Sequence, residues 1–159
     1  MTIGILVHSM TGHTLLVAQR IEKKLAEQGH TVRIERVSAQ DEEAVSKGQV
    51  KQPIQLINPP DPLAYDAVIF GAPVWGFSLS KIMAAYLGRL PGLSGKKTAC
   101  FITQHLSHPL FGGNRSLRQM EAACRKMGSS PFASGIVNWS NARREEQIEN
   151  IEKSFSRIS

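Results

Sequence analysis

Short apolar runs alternate with stretches of helical periodicity along most of this chain. The runs Ile3–Val7, Ala67–Phe70 and Thr98–Ile102 contain no charged residues, which favours central strands of a sheet covered on both faces. Thr31–Val37 alternates polar with apolar residues, as expected of an edge strand, and a fifth strand is predicted around Gly135–Trp139. Repeated strand–helix units require a parallel sheet with right-handed crossovers. We therefore predict a three-layer, doubly wound α/β fold with a five-stranded parallel sheet.

The segments between these runs carry apolar residues at helical spacing. One helix is predicted from Val17 to Leu25, with Gly29 as its stop, and a short helix is expected at Asp41–Ser46 within a proline-rich stretch. The last helix is expected to be capped by Asn141. Three further apolar stripes have the 3.6-residue period of core-facing helices: Leu79, Ile82, Met83, Tyr86 and Leu87; Leu117, Met120, Cys124 and Met127; Ile148, Ile151, Phe155 and Ile158.

The chain has 159 residues, with no linker or internal repeat, so we predict a single domain spanning 1–159. Its two cysteines, Cys100 and Cys124, lie in apolar patterns and are expected to be buried, and two are too few for a disulfide framework. No basic N-terminal segment leads into a long apolar run, and no apolar stretch reaches membrane-spanning length. We expect a cytoplasmic protein that does not contact membranes.

The net charge of +6 arises wholly from residues 65–159. Much of the excess falls within one amphipathic helix, at Arg115, Arg118, Arg125 and Lys126. No DNA-binding motif and no aromatic platform for single strands accompanies these cations. A solvated helix face is therefore preferred to a nucleic-acid surface.

A hydroxyl-rich turn lies between the first strand and the first helix. Free N–H groups at a helix start favour an anion, and a glycine lets the backbone close around it. The turn lacks both the Gly-Lys-Ser/Thr ending of a P-loop and the three glycines of a dinucleotide turn. We predict a phosphate site of a bound cofactor, the alternative being an ordinary helix cap; its residues are Ser9, Thr11, Gly12, His13 and Thr14.

Ligands of such sheets bind beyond the carboxyl ends of the strands. The loops after the third and fourth strands should therefore complete the site. They offer a tryptophan for stacking on a flat ring, amide and imidazole groups, and glycines that permit close backbone approach. The predicted site residues there are Pro73, Val74, Trp75, Gly76, Phe77, Gln104, His105, His108, Gly112, Gly113 and Asn114. Trp139, by contrast, is expected to pack in the core.

Together these segments resemble the flavodoxin-like FMN-binding proteins over nearly the full chain. Ser9–Thr14 is similar to the family's phosphate loop, Tyr65–Trp75 to its third strand and flavin loop, and Gly112–Arg115 to the region after the fourth strand. The resemblance implies the strand order 2-1-3-4-5 and non-covalently bound FMN. It further implies that the phosphate is held by the first loop and that the flavin ring is bordered by the other two. The last strand is uninterrupted, as in short-chain flavodoxins.

The resemblance leaves the reaction open. An electron carrier that serves a redox partner protein is the first hypothesis. The second is an NAD(P)H-dependent FMN or quinone reductase, because His13 stands where carriers usually have asparagine and Ser-Met-x-Gly-His resembles the loop of flavodoxin-like quinone reductases. The third is a binding module without FMN. The chain is expected to be a monomer or homodimer, and no catalytic residue is assigned.

Two further expectations concern the proposed cleft. The three loops contain no Asp or Glu, so the two-electron-reduced flavin should have a less negative potential than in an acidic carrier. Four histidines, His8, His13, His105 and His108, fall at the cleft, where hydrogen bonding or loop polarity is preferred to metal binding. A response-regulator receiver is excluded, because Gly71-Ala72 replaces the phosphorylatable aspartate at the end of the third strand.

Overall fold

The computed structural model describes residues 1–51, 53–105 and 112–158. Two short 3₁₀ turns, at Pro62–Ala64 and Ser156–Ile158, accompany the regular elements. In chain order, the strands and α-helices are β1 (Thr2–Val7), α1 (His13–Glu27), β2 (Thr31–Arg36), β3 (Ser38–Ala39), α2 (Glu42–Ser46), β4 (Leu56–Ile57), β5 (Ala67–Trp75), β6 (Ser78–Leu79), α3 (Lys81–Gly88), β7 (Lys97–Gln104), α4 (Gly113–Lys126), β8 (Ala133–Asn138) and α5 (Arg144–Phe155).

The main sheet has the order β2-β1-β5-β7-β8, and all neighbours in this order are parallel. Counted along the chain, the long strands one to five are β1, β2, β5, β7 and β8. The predicted order 2-1-3-4-5 is therefore confirmed. The short strand β6 pairs antiparallel with the end of β5. The chain order reverses direction between β1 and β5, which is the point where ligands of doubly wound sheets bind.

Each face of the sheet buries its own apolar cluster, as the continuous apolar strands predicted. On one face, α3 and α4 cover residues such as Phe70 and Ile102. On the other, α1 and α5 cover Ile5, Ile69 and Phe101. The two cysteines are buried in the first cluster, with their Sγ atoms 3.8 Å apart. The four cations of α4 are exposed, as expected of a solvated face. None of the helices in the described ranges is both long and apolar enough to cross a bilayer.

Three local features differ from the predictions. Strand β5 continues to Trp75, because its last residues pair with β6 instead of forming a loop. The proline-rich stretch forms a two-stranded antiparallel sheet from β3 and β4. Helix α5 begins at Arg144 and not at Asn141, whose Oδ1 accepts a hydrogen bond from the Arg143 amide in the preceding turn.

Gly71 leaves room for the ring of Phe101, the residue paired with it on the neighbouring strand β7. A Cβ atom at this position would lie 2.1 Å from the Phe101 ring, closer than any real contact. Gly71 also pairs with Val7, the last residue of β1, and its carbonyl accepts a hydrogen bond from the His8 amide. The absence of a side chain here lets the Phe101 ring lie over β5.

We expect Gly71→Ala to lower the free energy of unfolding by about 1–3 kcal/mol, because a methyl group would overpack the core against Phe101. Gly88→Ala is the matched control, since a Cβ there meets no atom within 4 Å. It should change the stability by less than about 1 kcal/mol, and in the stabilising direction, because alanine is the better helix former. Urea unfolding of the two variants measures both effects, and equal stabilities would contradict this account of Gly71.

Candidate functional site

Three loops meet at the carboxyl ends of β1, β5 and β7. They enclose a cleft of about 200 Å³. The loop after β1 forms one side, the end of β5 forms another, and the end of β7 forms the third. The lining residues are Met10, Thr11, His13, Pro73, Val74, Trp75, Thr103, Gln104 and His105. The structure thus brings together residues from all three segments that the sequence assigned to one site.

The turn before α1 has the geometry of an anion-binding loop. Gly12 has φ +94°, and α1 begins directly after it. The Ser9 hydroxyl oxygen accepts hydrogen bonds from the amides of Gly12 (3.2 Å) and Leu15 (3.3 Å), which fixes the loop against the first helical turn. The Arg36 guanidinium donates to the Ser9 carbonyl and adds a positive charge beside the loop. Helix dipole and guanidinium together favour an anion here.

The two threonines of the loop have different surroundings. Thr11 is exposed at the cleft, where its hydroxyl is available to a ligand. Thr14 is buried, and its Oγ1 lies 2.8 Å from Oγ1 of Thr103 on β7. This bond fixes the start of α1 to the sheet.

The loop after β5 presents Trp75 half-buried at the cleft. Gly76 and Phe77 follow it in the left-handed region, at φ +56° and +66°, and Phe77 is 58% exposed. Gly112 lies against this turn, since a Cβ on it would be 2.5 Å from the Phe77 backbone. Gly112 therefore packs on the Phe77 backbone, and its contact with a cofactor stays a prediction.

The end of β7 carries the amide predicted for the site. Gln104 is buried, and its Nε2 donates to Asn138 Oδ1 over 2.6 Å. Gly113, at the start of α4, leaves room for this amide, because a Cβ there would lie 2.5 Å from Gln104 Oε1. Asn114 is half-buried on the same helical turn. His108 lies outside the described residues, so its position at the cleft stays a prediction.

Trp139 has a role that the sequence did not predict. It packs against the core only partly, and its indole stacks on His13 with ring centroids 4.0 Å apart and an 11° angle between the planes. The Arg144 guanidinium lies 4.6 Å from the centre of the same indole. Trp139 therefore holds the His13 ring at the start of α1, and the tryptophan belongs to the edge of the site as well as to the core.

The environment of His13 favours its neutral form. Burial lowers the pKa of His13 below its usual 6.5, and the nearby His105 and Arg144 lower it further. At neutral pH the imidazole is therefore a hydrogen-bonding group and carries no positive charge.

A carboxylate approaches the site from a part of the chain that the sequence patterns did not connect with it. Glu42, on α2, lies 2.7 Å from Nε2 of the buried His8, and Nδ1 of His8 lies 2.8 Å from Oγ of Ser80. The three loops contain no acidic residue of their own, but this one lies behind them. Within the described part of the chain, no three His, Cys, Asp or Glu side chains are grouped as metal ligands would be.

Comparisons with known proteins agree with this architecture. No protein-family model and no curated protein sequence matches the chain. Among solved structures, oxidised flavodoxin 2 from Bacillus cereus is similar, with 22% identity, a TM-score of 0.70 and 98% of each chain covered. A WrbA-like flavodoxin from Agrobacterium tumefaciens has 13% identity and a TM-score of 0.69, with 99% of this chain and 94% of that one covered. A Lactobacillus acidophilus flavoprotein in complex with FMN has 16% identity and a TM-score of 0.62, with 92% and 97% covered. The fold of this protein is the flavodoxin-like fold.

We expect the NMR titration of His13 to have its midpoint below pH 6.5. Arg144→Gln should raise this midpoint, because it removes a positive charge that disfavours the imidazolium. Arg143→Gln removes the same charge one residue away and is the control, expected to leave the midpoint nearly unchanged. An equal rise in the two variants would show that Arg144 has no specific effect on His13.

Proposed function

We propose that this protein binds FMN without a covalent link and takes part in electron transfer. One observation carries the proposal: an anion-binding helix start, a half-exposed tryptophan and a glutamine amide face one cleft at the switch point of a flavodoxin-like sheet. A phosphate ester with a flat, polar-edged ring needs these three kinds of group at one site. The similarity in fold to a flavoprotein in complex with FMN supports the proposal.

The chemistry of the donor groups fits this cofactor. The loop from Ser9 to Thr14 would hold the phosphate through hydroxyl and amide donors, with the charge of Arg36 beside it. Trp75 would border the flat ring, and Gln104 and His105 would face its polar edge. Bound flavin supplies the electron transfer itself. The protein binds and orients it, limits water access and sets the charge around it.

We assign the electron-carrier role first, with a redox protein as the partner. The NAD(P)H-dependent FMN or quinone reductase is the second candidate. It is favoured by the absence of carboxylates from the described residues that line the cleft and by His13, whose ring is held by stacking on Trp139. The similarity to a WrbA-like flavodoxin is consistent with either candidate.

The visible spectrum of the purified protein before and after anaerobic addition of NADPH tests both candidates. A flavin spectrum that NADPH does not change supports the carrier, and one that NADPH bleaches supports the reductase. A colourless protein that does not bind added FMN would exclude both. Such a result would leave a binding module without FMN.

We expect the two-electron-reduced flavin in this protein to have a less negative potential than in an acidic flavodoxin. Arg36 lies beside the phosphate loop, Arg144 lies over Trp139, and the cleft-lining loops contribute no carboxylate among their described residues. Positive charge around the site, without carboxylates in these loops, favours the anionic reduced form. Anaerobic potentiometric titration of the FMN-loaded protein, beside an acidic flavodoxin in the same buffer, measures the difference. A potential as low as that of the acidic protein would contradict this expectation.

A further inference from the structure

His8 occupies a buried position directly behind the candidate flavin site. It follows the last residue of β1 and precedes the phosphate loop, and it is only 1% exposed. Its two ring nitrogens bond to different elements: Nδ1 to Ser80, the N-cap of α3, and Nε2 to Glu42 on α2. The ring therefore joins two helices to the strand that leads into the phosphate loop.

The hydrogen bonds around His8 define its protonation state. The ionised Glu42 carboxylate can only accept a hydrogen bond, so Nε2 of His8 carries a hydrogen and donates to Glu42. Ser80 Oγ already accepts from the Met83 amide over 3.1 Å, and its own proton is free to bond to Nδ1. The second carboxylate oxygen accepts from the Ala39 amide. When His8 is neutral, each N–H and O–H group in this network of His8, Glu42 and Ser80 has an acceptor.

A second proton on His8 would disrupt this arrangement. Nδ1–H would then point at Ser80 Oγ, and the serine proton would need another acceptor although Ser80 is fully buried. Burial is also the largest effect on the pKa of His8 and lowers it below 6.5; Arg36 lowers it further, while Glu42 opposes the shift. The charged groups that act on His8 are thus Glu42 from α2 and Arg36 from the end of β2.

The His8 ring also contacts the tryptophan of the cleft. The ring centroids of His8 and Trp75 are 5.0 Å apart, and the ring planes are at 82° to each other. Edge-to-face pairs of this kind restrict the position of both rings. Trp75 lines the cleft as well, so its indole has the candidate ligand site and His8 as neighbours.

Serine, histidine and carboxylate are also the groups of a nucleophilic triad, but Ser80 is not placed to act as a nucleophile. Ser80 is 0% exposed, and its oxygen caps α3 through the Met83 amide. A substrate carbonyl has no access to that oxygen. Besides its two hydrogen-bond partners, the His8 ring contacts Trp75.

We propose that His8 is a positioning residue, held by Glu42 and Ser80, that fixes Trp75 in the orientation in which it stacks on the flavin ring. This inference rests on the proposed FMN function and adds a residue to it. Because the arrangement is complete only when His8 is neutral, flavin affinity should be highest above the pKa of His8 and should fall as the pH drops below it.

A double-mutant cycle tests the link between His8 and Trp75. The dissociation constant of FMN is measured by quenching of flavin fluorescence for the wild type, His8→Gln, Trp75→Leu and the double variant. Loss of an edge-to-face contact predicts that His8→Gln weakens FMN binding about two- to tenfold. In the Trp75→Leu background the same change should have almost no further effect. His30→Gln, a histidine change at the opposite edge of the sheet, is the control and should bind FMN as the wild type does.

The pH dependence of binding gives a second test that does not require changing His8. Riboflavin is the probe, because the phosphate of FMN itself titrates near pH ~6. Glu42→Gln removes the carboxylate that favours the imidazolium, so the acid-side loss of riboflavin affinity should move to lower pH. The titration of His13 contributes equally to the wild type and to this variant. His30→Gln should leave the profile in place.

The results separate the inference from the function on which it rests. Failure of the wild type to bind FMN would overturn the proposed function. Normal binding with equal losses from His8→Gln in both backgrounds would show that His8 acts only on general stability. Normal binding with an unmoved pH profile in Glu42→Gln would equally overturn the positioning role.

Discussion

Parallel pairing of β1, β5 and β7 is the constraint on which the candidate site depends. Val7 pairs with Gly71, and Pro73 pairs with Thr103, so three segments far apart in the sequence end at one edge of the sheet. Apolar clusters on both faces hold this register, because slipping a strand by one residue would turn its core side chains to the wrong face. The loops need little internal structure of their own, since the sheet already places their ends.

Close packing behind the loops then sets the finer geometry. Gly71 leaves room for the Phe101 ring over β5, and Gly112 lets the start of α4 lie against the turn at Phe77. The Thr14–Thr103 bond ties the loop after β1 to the sheet, and His8 ties it to α2 and α3. The cleft is thus supported from behind by buried contacts, which is the condition for holding a ring and a phosphate in a fixed relation.

The sequence patterns predicted the fold better than they predicted the neighbours of the site residues. Periodicity gave the five long strands, their helices and the buried cysteines, because these depend on which face of an element is apolar. It did not find Glu42 or Ser80 as partners of His8, since they lie 34 and 72 residues away. The stacking of Trp139 on His13 was missed for the same reason, and Trp139 was assigned to the core alone.

By itself the sequence determined the layered α/β architecture and the chemistry of the loops. Both follow from local information: the period of apolar residues, a hydroxyl-rich turn at a helix start, and a tryptophan beside glycine. Only the tertiary structure decided which buried side chains contact and orient the residues of the site. Whether His8 faces Glu42, Ser80 and Trp75 depends on how three elements pack around one ring, and the residues that carry those contacts are ordinary when each is considered in its own segment.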